Sequence, residues 1–419
     1  MNKLHCHLKA KRFWIKKRLC RVLVMLFYKS TPMRKCLSLF LFLLLITVNA
    51  KESLYVNIPQ ASPHQHSATT FGKELIALID ASKEEIVFAI YGLRSQEDIL
   101  AALLRAKKRG VSIKGVVDSD THGSNYYDHT GLLHEHFSLK SDHKSAIMHN
   151  KFFVFDRKIV WSGSSNISDT GTGGYNANAV IVTEDKAVAN VYHQEFDQMY
   201  EGNFGKKKHE IHRENIRTDE STLSVYFSPK SNTYEKAIKP LIQNAKHSIY
   251  IPIFYLTHEE LSKELIKASK KGVEVKIILD ASAARNKYSM HHKLREEGIA
   301  VKVENFGGKM HAKSMIVDSR YFIAGSMNFT KAGNTLNDEN TLLIDNPLLA
   351  KAYETYFFEL WKSIPERYLK KDPLPEGFES LHSCEDGIDN NFNHQKDHDD
   401  PSCQKKEKST LANLFSWFK

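Results

Sequence analysis

The first fifty residues contain no aspartate and no glutamate. They carry eleven lysines and arginines, and these account for the formal charge of +10 on the 419-residue chain. Without them, 48 basic residues stand against 49 acidic ones, a balance of −1. Residues 51–419 therefore lack the overall basic excess on which nucleic-acid affinity leans, though a local basic cleft is compatible with that balance. Cysteine is also scarce. Cys6, Cys20 and Cys36 lie in the leader, and only Cys384 and Cys403 follow it. Two cysteines closing a short polar loop read as a disulfide formed in an oxidising compartment, with free thiols as the alternative. Long apolar runs are missing too: residues 37–48 give twelve, against the roughly twenty that span a bilayer as a helix. Preceded by Met33-Arg34-Lys35 and followed by Ala50, that run reads as a signal peptide over 33–50. An uncleaved anchor is the rival reading, and Met33 competes with Met1 as the start. Export, to the periplasm or beyond, is the expectation.

What the chain does contain is a repeat. His311-Ala312-Lys313 is followed by Asp318, then Gly325-Ser326-Met327-Asn328, then Asn337-Asp338-Glu339-Asn340. On an extended strand residues two apart share a face, so His311 and Lys313 point the same way. An imidazole beside an ammonium suits a site that holds a phosphate and attacks it. For one copy alone, a rim histidine and a solvated lysine is the plainer reading. A second copy lies upstream: His149, Lys151, Asp156, Gly163, Asn166 and Asn178 each sit 162 residues before His311, Lys313, Asp318, Gly325, Asn328 and Asn340. The register reaches back to Gly110/Gly272 and Asp118/Asp280, and one offset held over so many polar positions marks an internal duplication. In both copies amphipathic helices alternate with short buried strands and stop at glycine, which predicts an α/β layered domain twice over.

The paired H-x-K-x-x-x-x-D motifs, each followed by G-S-x-N, resemble the phospholipase D superfamily over residues 68–365. The resemblance implies two tandem α/β/α sandwich repeats, 51–205 and 223–365, packed as a pseudo-dimer around one shared cleft. A solvated linker, 206–222, would join them in a monomer with an internal pseudo-two-fold. It also implies phosphodiester cleavage through a phosphohistidine, with no cofactor required for catalysis. The expected catalytic set is His149, Lys151, Asp156, His311, Lys313 and Asp318. The lysines would bind the non-bridging oxygens, with Ser164, Asn166, Ser326 and Asn328 adding hydrogen bonds to the phosphate. Asp156 and Asp318 would anchor the site and orient the histidines. Glu339, matched in the first copy by Ala177, would be the histidine-orienting carboxylate. Placed near His311 it would favour the imidazolium, making His311 the general acid and His149 the neutral nucleophile.

After Trp361 the periodicity ends, and residues 366–419 read as a tail. Asp386, Asp389, Asn391, Asn393 and Asp397 place oxygen-bearing side chains at short intervals between the two cysteines. Such a pattern resembles a structural calcium loop, although Phe392 stands where those loops favour glycine. A disulfide-stapled acidic loop is the alternative. Residues 411–418 form a short amphipathic turn, expected to dock on the body in preference to a membrane. Two substrates stay open: a phospholipid at a membrane surface, hydrolysed to phosphatidic acid, and a nucleic acid cut by an endonuclease of the same superfamily. A binding protein without catalysis ranks last, because both motifs keep His, Lys and Asp.

Overall fold

The structure is a computed structural model that describes residues 52–123, 126–143 and 146–404. The leader with its expected signal peptide and the amphipathic residues 411–418 lie outside the described residues.

Period-two alternation builds each half. In Glu85–Ile90, Ile86, Phe88 and Ile90 face one core while Val87 and Ala89 face another. In Phe152–Phe155 the same split sends Phe153 and Phe155 outward and Phe152 and Val154 inward. The first sheet has seven strands, in the order Glu52–Val56, Ala179–Glu184, Ile159–Gly163, Phe152–Phe155, Glu85–Ile90, Ser112–Val117, Ser138–Ser141. The second has eight: His212–Arg217, Thr222–Ser228, Glu339–Asp345, Tyr321–Gly325, Met315–Val317, Ser248–Ile253, Glu274–Leu279, Ala300–Val303. Apart from its extra edge strand, the second repeats the first. Each half keeps its three βαβ-type strands parallel and its motif hairpin antiparallel.

Helices Thr70–Ala81 and Glu97–Lys108 cover the outer face of the first sheet, sharing its core through Phe71, Leu75, Ile99 and Leu103. Glu259–Lys270 does the same for the second sheet through Leu261 and Leu265. The long helices Lys186–Tyr200 and Pro347–Ser363 belong to a third core that takes residues from both sheets. Their starts are fixed alike: Asp185 accepts from the amides of Ala187 and Val188, and Asn346 from those of Leu348 and Leu349. Two α/β/α layers are thus fused through a shared middle, as the superfamily resemblance implies.

Two polar stretches are part of the sheets. Glu52–Val56, ahead of the first helix, pairs antiparallel with Ala179–Glu184. Within the supposed linker 206–222, His212–Arg217 pairs with Thr222–Ser228 around a register shift. Only Ile216 of that strand is buried, so an edge strand with one wet face reads as polar loop in sequence. Cys384 and Cys403 are disulfide-bonded, and the tail docks on the body through Tyr175–Asp386 and through Leu381 N, which donates to Asn305 O at 2.8 Å. Among the described residues no helix is long and apolar enough to cross a membrane.

Candidate active site

Each histidine lies just ahead of its motif strand, on a segment that pairs with the other half. His149 N donates to Asp338 O at 2.9 Å and Asp338 N to Ile147 O at 3.0 Å. Symmetrically, His311 N donates to Ala177 O at 2.9 Å and Ala177 N to Lys309 O at 2.8 Å. Behind each segment a buried aspartate accepts an amide: Asp118 from Met148 N at 2.8 Å, Asp280 from Met310 N at 3.1 Å. The motif segments are therefore held from behind by their own half and from the side by the other.

This crossing decides the histidine partners and corrects the sequence expectation. Among the described residues Glu339 makes no hydrogen bond to His311. Its Oε2 accepts from His149 Nδ1 at 2.8 Å, and His311 Nδ1 donates instead to Asn178 Oδ1 at 3.1 Å. Glu339 and Asn178 are equivalent positions, not Glu339 and Ala177. The offset of 162 holds at Ser164/Ser326 and then drops by one. Ser164 supports Asn178 as Ser326 supports Glu339, and Asp185 caps its helix as Asn346 does. One extra residue in the first copy, between Ser164 and Asn178, hides this in a fixed-offset alignment. The paired N-caps, 161 apart, were the signal that could have exposed it.

The two serines are spoken for. Ser164 Oγ donates to Asn178 Oδ1 at 2.9 Å and Ser326 Oγ to Glu339 Oε2 at 2.6 Å, so they steady the histidine partners and are not free to donate to a phosphate. The preceding glycines explain themselves by close approach: a Cβ on Gly163 would lie 2.2 Å from Ala179 O, and one on Gly325 2.1 Å from Asn340 O. Asn166 and Asn328 differ from the serines. At both, Oδ1 is buried without a hydrogen-bond partner among the described residues.

Asp156 and Asp318 stand apart from the chemistry. Asp156 accepts from the amides of Lys83, Glu84 and Glu85, and Asp318 from those of Lys246, His247 and Ser248. Backbone donors outweigh burial and hold both carboxyls below the usual range. Each sits with its successor at positive φ (48° and 52°, 54° and 51°) in the tight turn of the motif hairpin. Seven residues of extended chain put them on the order of 20 Å from their histidines. They tie the hairpin to the neighbouring strand and do not orient the imidazoles.

The lysines are buried and unusually free. Lys151 Nζ donates to His149 O at 3.0 Å and Lys313 Nζ to His311 O at 2.7 Å. Among the described residues neither has a carboxylate in ion-pair contact, so N–H donors remain for an anion. Burial pushes Lys151 down to about 7 and Lys313 well down, and Lys151 adds to the effect on Lys313. His311 is pushed well below its ordinary value by burial and then by Lys313, Lys151 and His149. His149 is lowered by burial, which Glu339 partly offsets, and its side chain keeps 16 % exposure. Two lysines and two histidines in mutual electrostatic reach, with one carboxylate, form a cluster whose charge suits an anion. Phe254 lies 5.2 Å from the His311 ring and Tyr91 6.1 Å from that of His149.

Among the described residues, the expected calcium-binding carboxylates Asp386, Asp389 and Asp397 do not form a group of three within reach of one ion. Asp389 accepts from the amides of Asn393 and His394, Asp397 from that of Gly387, and Asp386 from that of Ile388. Asn391 and Asn393 both donate to Asp400 Oδ2, at 2.8 and 2.7 Å. Hydrogen bonds of its own shape this loop. Among the described residues, the cluster of three groups able to meet at one ion is elsewhere, at His291, His292 and Asp372.

A protein-family description, "Cardiolipin synthase, PLD-like domain", matches residues 75–200 and 238–361, more than half of the chain. A phospholipase D of Rickettsia bellii is 36% identical over 133 residues, which cover 32% of this chain and 66% of that protein. A mitochondrial cardiolipin hydrolase of Chlamydomonas reinhardtii is 33% identical over 118 residues, covering 28% and 53%. In fold, the chain resembles the phosphatidylserine synthase of Haemophilus influenzae, with a TM-score of 0.57 at 15% identity over 76% of this chain and 93% of that one.

Proposed function

The chain belongs to the phospholipase D-like family, and on that premise we propose that it is an exported phosphodiesterase that hydrolyses a phospholipid head-group ester to phosphatidic acid. The observation that carries the reading is the crossed pair: His149 from one half, oriented by Glu339 from the other, beside the two lysines.

With Nδ1–H given to Glu339, His149 presents the lone pair of Nε2. That atom attacks phosphorus, and the carboxylate offsets the positive charge growing on the ring. Lys151 and Lys313 hold the non-bridging oxygens, with Asn166 and Asn328 beside them. His311, backed by the neutral amide of Asn178, is the general acid. In an environment that disfavours its imidazolium, it gives its proton readily to the departing head-group oxygen. The anionic phosphodiester is what lets it hold that proton beforehand. Water then attacks the phosphohistidine, losing its proton to His311, and phosphatidic acid leaves. This reading keeps the histidine roles expected from the sequence but reverses their basis, since the carboxylate serves the nucleophile. None of these steps calls on a metal ion.

A lipid substrate is supported by the relatives named above and by the missing basic excess of residues 51–419. Export is supported by the leader and the disulfide. The test offers the purified chain, with EDTA, phosphatidylcholine/phosphatidylglycerol vesicles and, separately, single- and double-stranded DNA. Head-group release with intact DNA is expected. DNA cutting with intact lipid would replace the reading with an endonuclease, and activity abolished by EDTA would reject the metal-free route.

A further inference from the structure

The basic run Lys206-Lys207-Lys208 reads as solvated charge, yet Lys208 has no exposed side-chain surface. Its ammonium has three donors, and each is used. One goes to Glu195, on the first half's helix Lys186–Tyr200; one to Asp338 Oδ1 of the second half at 2.7 Å; one to Ser228 O at 2.9 Å. Glu195 is held in turn by Gln198, whose Nε2 donates to its Oε2 at 2.6 Å. Gly205 N, three residues before Lys208, also donates to both Asp338 oxygens, at 2.9 and 3.1 Å. The segment between the halves thus closes on one carboxylate.

That carboxylate is next to Glu339. Asp338 gives its carbonyl to His149 N and its amide to Ile147 O, and the chain then delivers Glu339 Oε2 to His149 Nδ1 and Asn340 Oδ1 to Lys151 N. We propose that Lys208 is a positioning residue for His149: it pins Asp338, and with it the 338–340 edge carrying Glu339, against the first half. Without the cation two buried carboxylates lose their shared counter-charge. Burial pushes both Glu195 and Asp338 up, and Lys208 draws both down. A buried ion from the connecting segment fits this role better than a stability role, since a buried pair is weak evidence for stability while its geometry is demanding. The inference rests on the proposed phosphodiesterase reading.

Its test compares Lys208→Met with the parent and with Glu339→Gln, on the full chain, using bis(p-nitrophenyl) phosphate. It adds the low-field proton resonance of the His149 Nδ1–H···Glu339 bond, assigned by its absence in Glu339→Gln. A kcat loss of about 10- to 100-fold with KM within about threefold is expected, since a misplaced reacting group costs that order of rate. The resonance should weaken or shift. If Lys208→Met does not fold, Glu195→Gln/Lys208→Met removes the cation with one anion and is read the same way. Parental kcat together with a parental resonance in a folded variant would overturn the proposal. A parent that turns over no diester would instead reject the functional reading, and the resonance alone would then decide the role of Lys208.

Discussion

Replacing Glu339 by glutamine removes one charge from a fully buried position and changes little in shape. Glu339 Oε2 accepts from His149 Nδ1 at 2.8 Å and from Ser326 Oγ at 2.6 Å. What is lost is the charge-assisted part of the hydrogen bond to a ring that turns cationic as phosphorus bonds to it. Hydrogen bonds to charged groups contribute about 1.5–3 kcal/mol. At about 1.36 kcal/mol per decade, kcat should fall roughly 10- to 100-fold. KM should move less than about threefold, because the lysines that hold the phosphate are untouched. The pH dependence carries a sign. Glu339 raises the pKa of His149 against burial, so its loss lowers that pKa further and moves the acid limb of kcat/KM to lower pH. Steady-state kinetics on a soluble diester across pH, with a thermal melt to confirm folding, reads all three. Parental kcat with an unmoved acid limb would refute the claim that the carboxylate serves His149.

Other outcomes follow from the same geometry. In the free enzyme His311 lies well below its ordinary pKa, and its protonated fraction falls as pH rises, so kcat/KM should peak on the acidic side of neutrality. Bound phosphate should raise that pKa and carry the alkaline limb of kcat to higher pH than that of kcat/KM; coincident limbs would contradict this. Asp156→Ala strips the acceptor from three amides and should cost about 2 kcal/mol of stability, seen in denaturant melts. Because the folded carboxyl lies below its unfolded value, that contribution is present above about pH 4 and fades as pH falls through the folded pKa. Reducing Cys384–Cys403, which are 19 residues apart, should release about 3 kcal/mol of chain constraint and expose the tail to limited proteolysis.

The strands that carry the site were legible because a strand buried on both faces reads as a short unbroken apolar run: Glu85–Ile90, Phe152–Phe155 and Met315–Val317 announce themselves. The edge strands Glu52–Val56 and His212–Arg217 did not, since a strand with one neighbour and a wet face carries half the signal. His149, Lys151, His311 and Lys313 were legible as a repeat. Their wiring was not. One extra residue in the first copy disguised Asn178 as the equal of Asn340, and no periodicity tells that Glu339 reaches across to the other half. The buried Lys208 was hidden by its neighbours in a charge run, because a sequence does not say which of three lysines points inward.

The central claim, that His149 attacks and His311 serves the leaving group and the water, has a direct test. With bis(p-nitrophenyl) phosphate the leaving group needs little protonation, so His311→Asn should still form the covalent intermediate but hydrolyse it slowly. Quenching that variant during turnover and mapping its peptides by mass spectrometry should place the phosphoryl group on the peptide holding His149, and His149→Asn should take up none. A phosphoryl group on His311 in the His149→Asn variant, or release of p-nitrophenol by His311→Asn with no label on His149, would contradict the account.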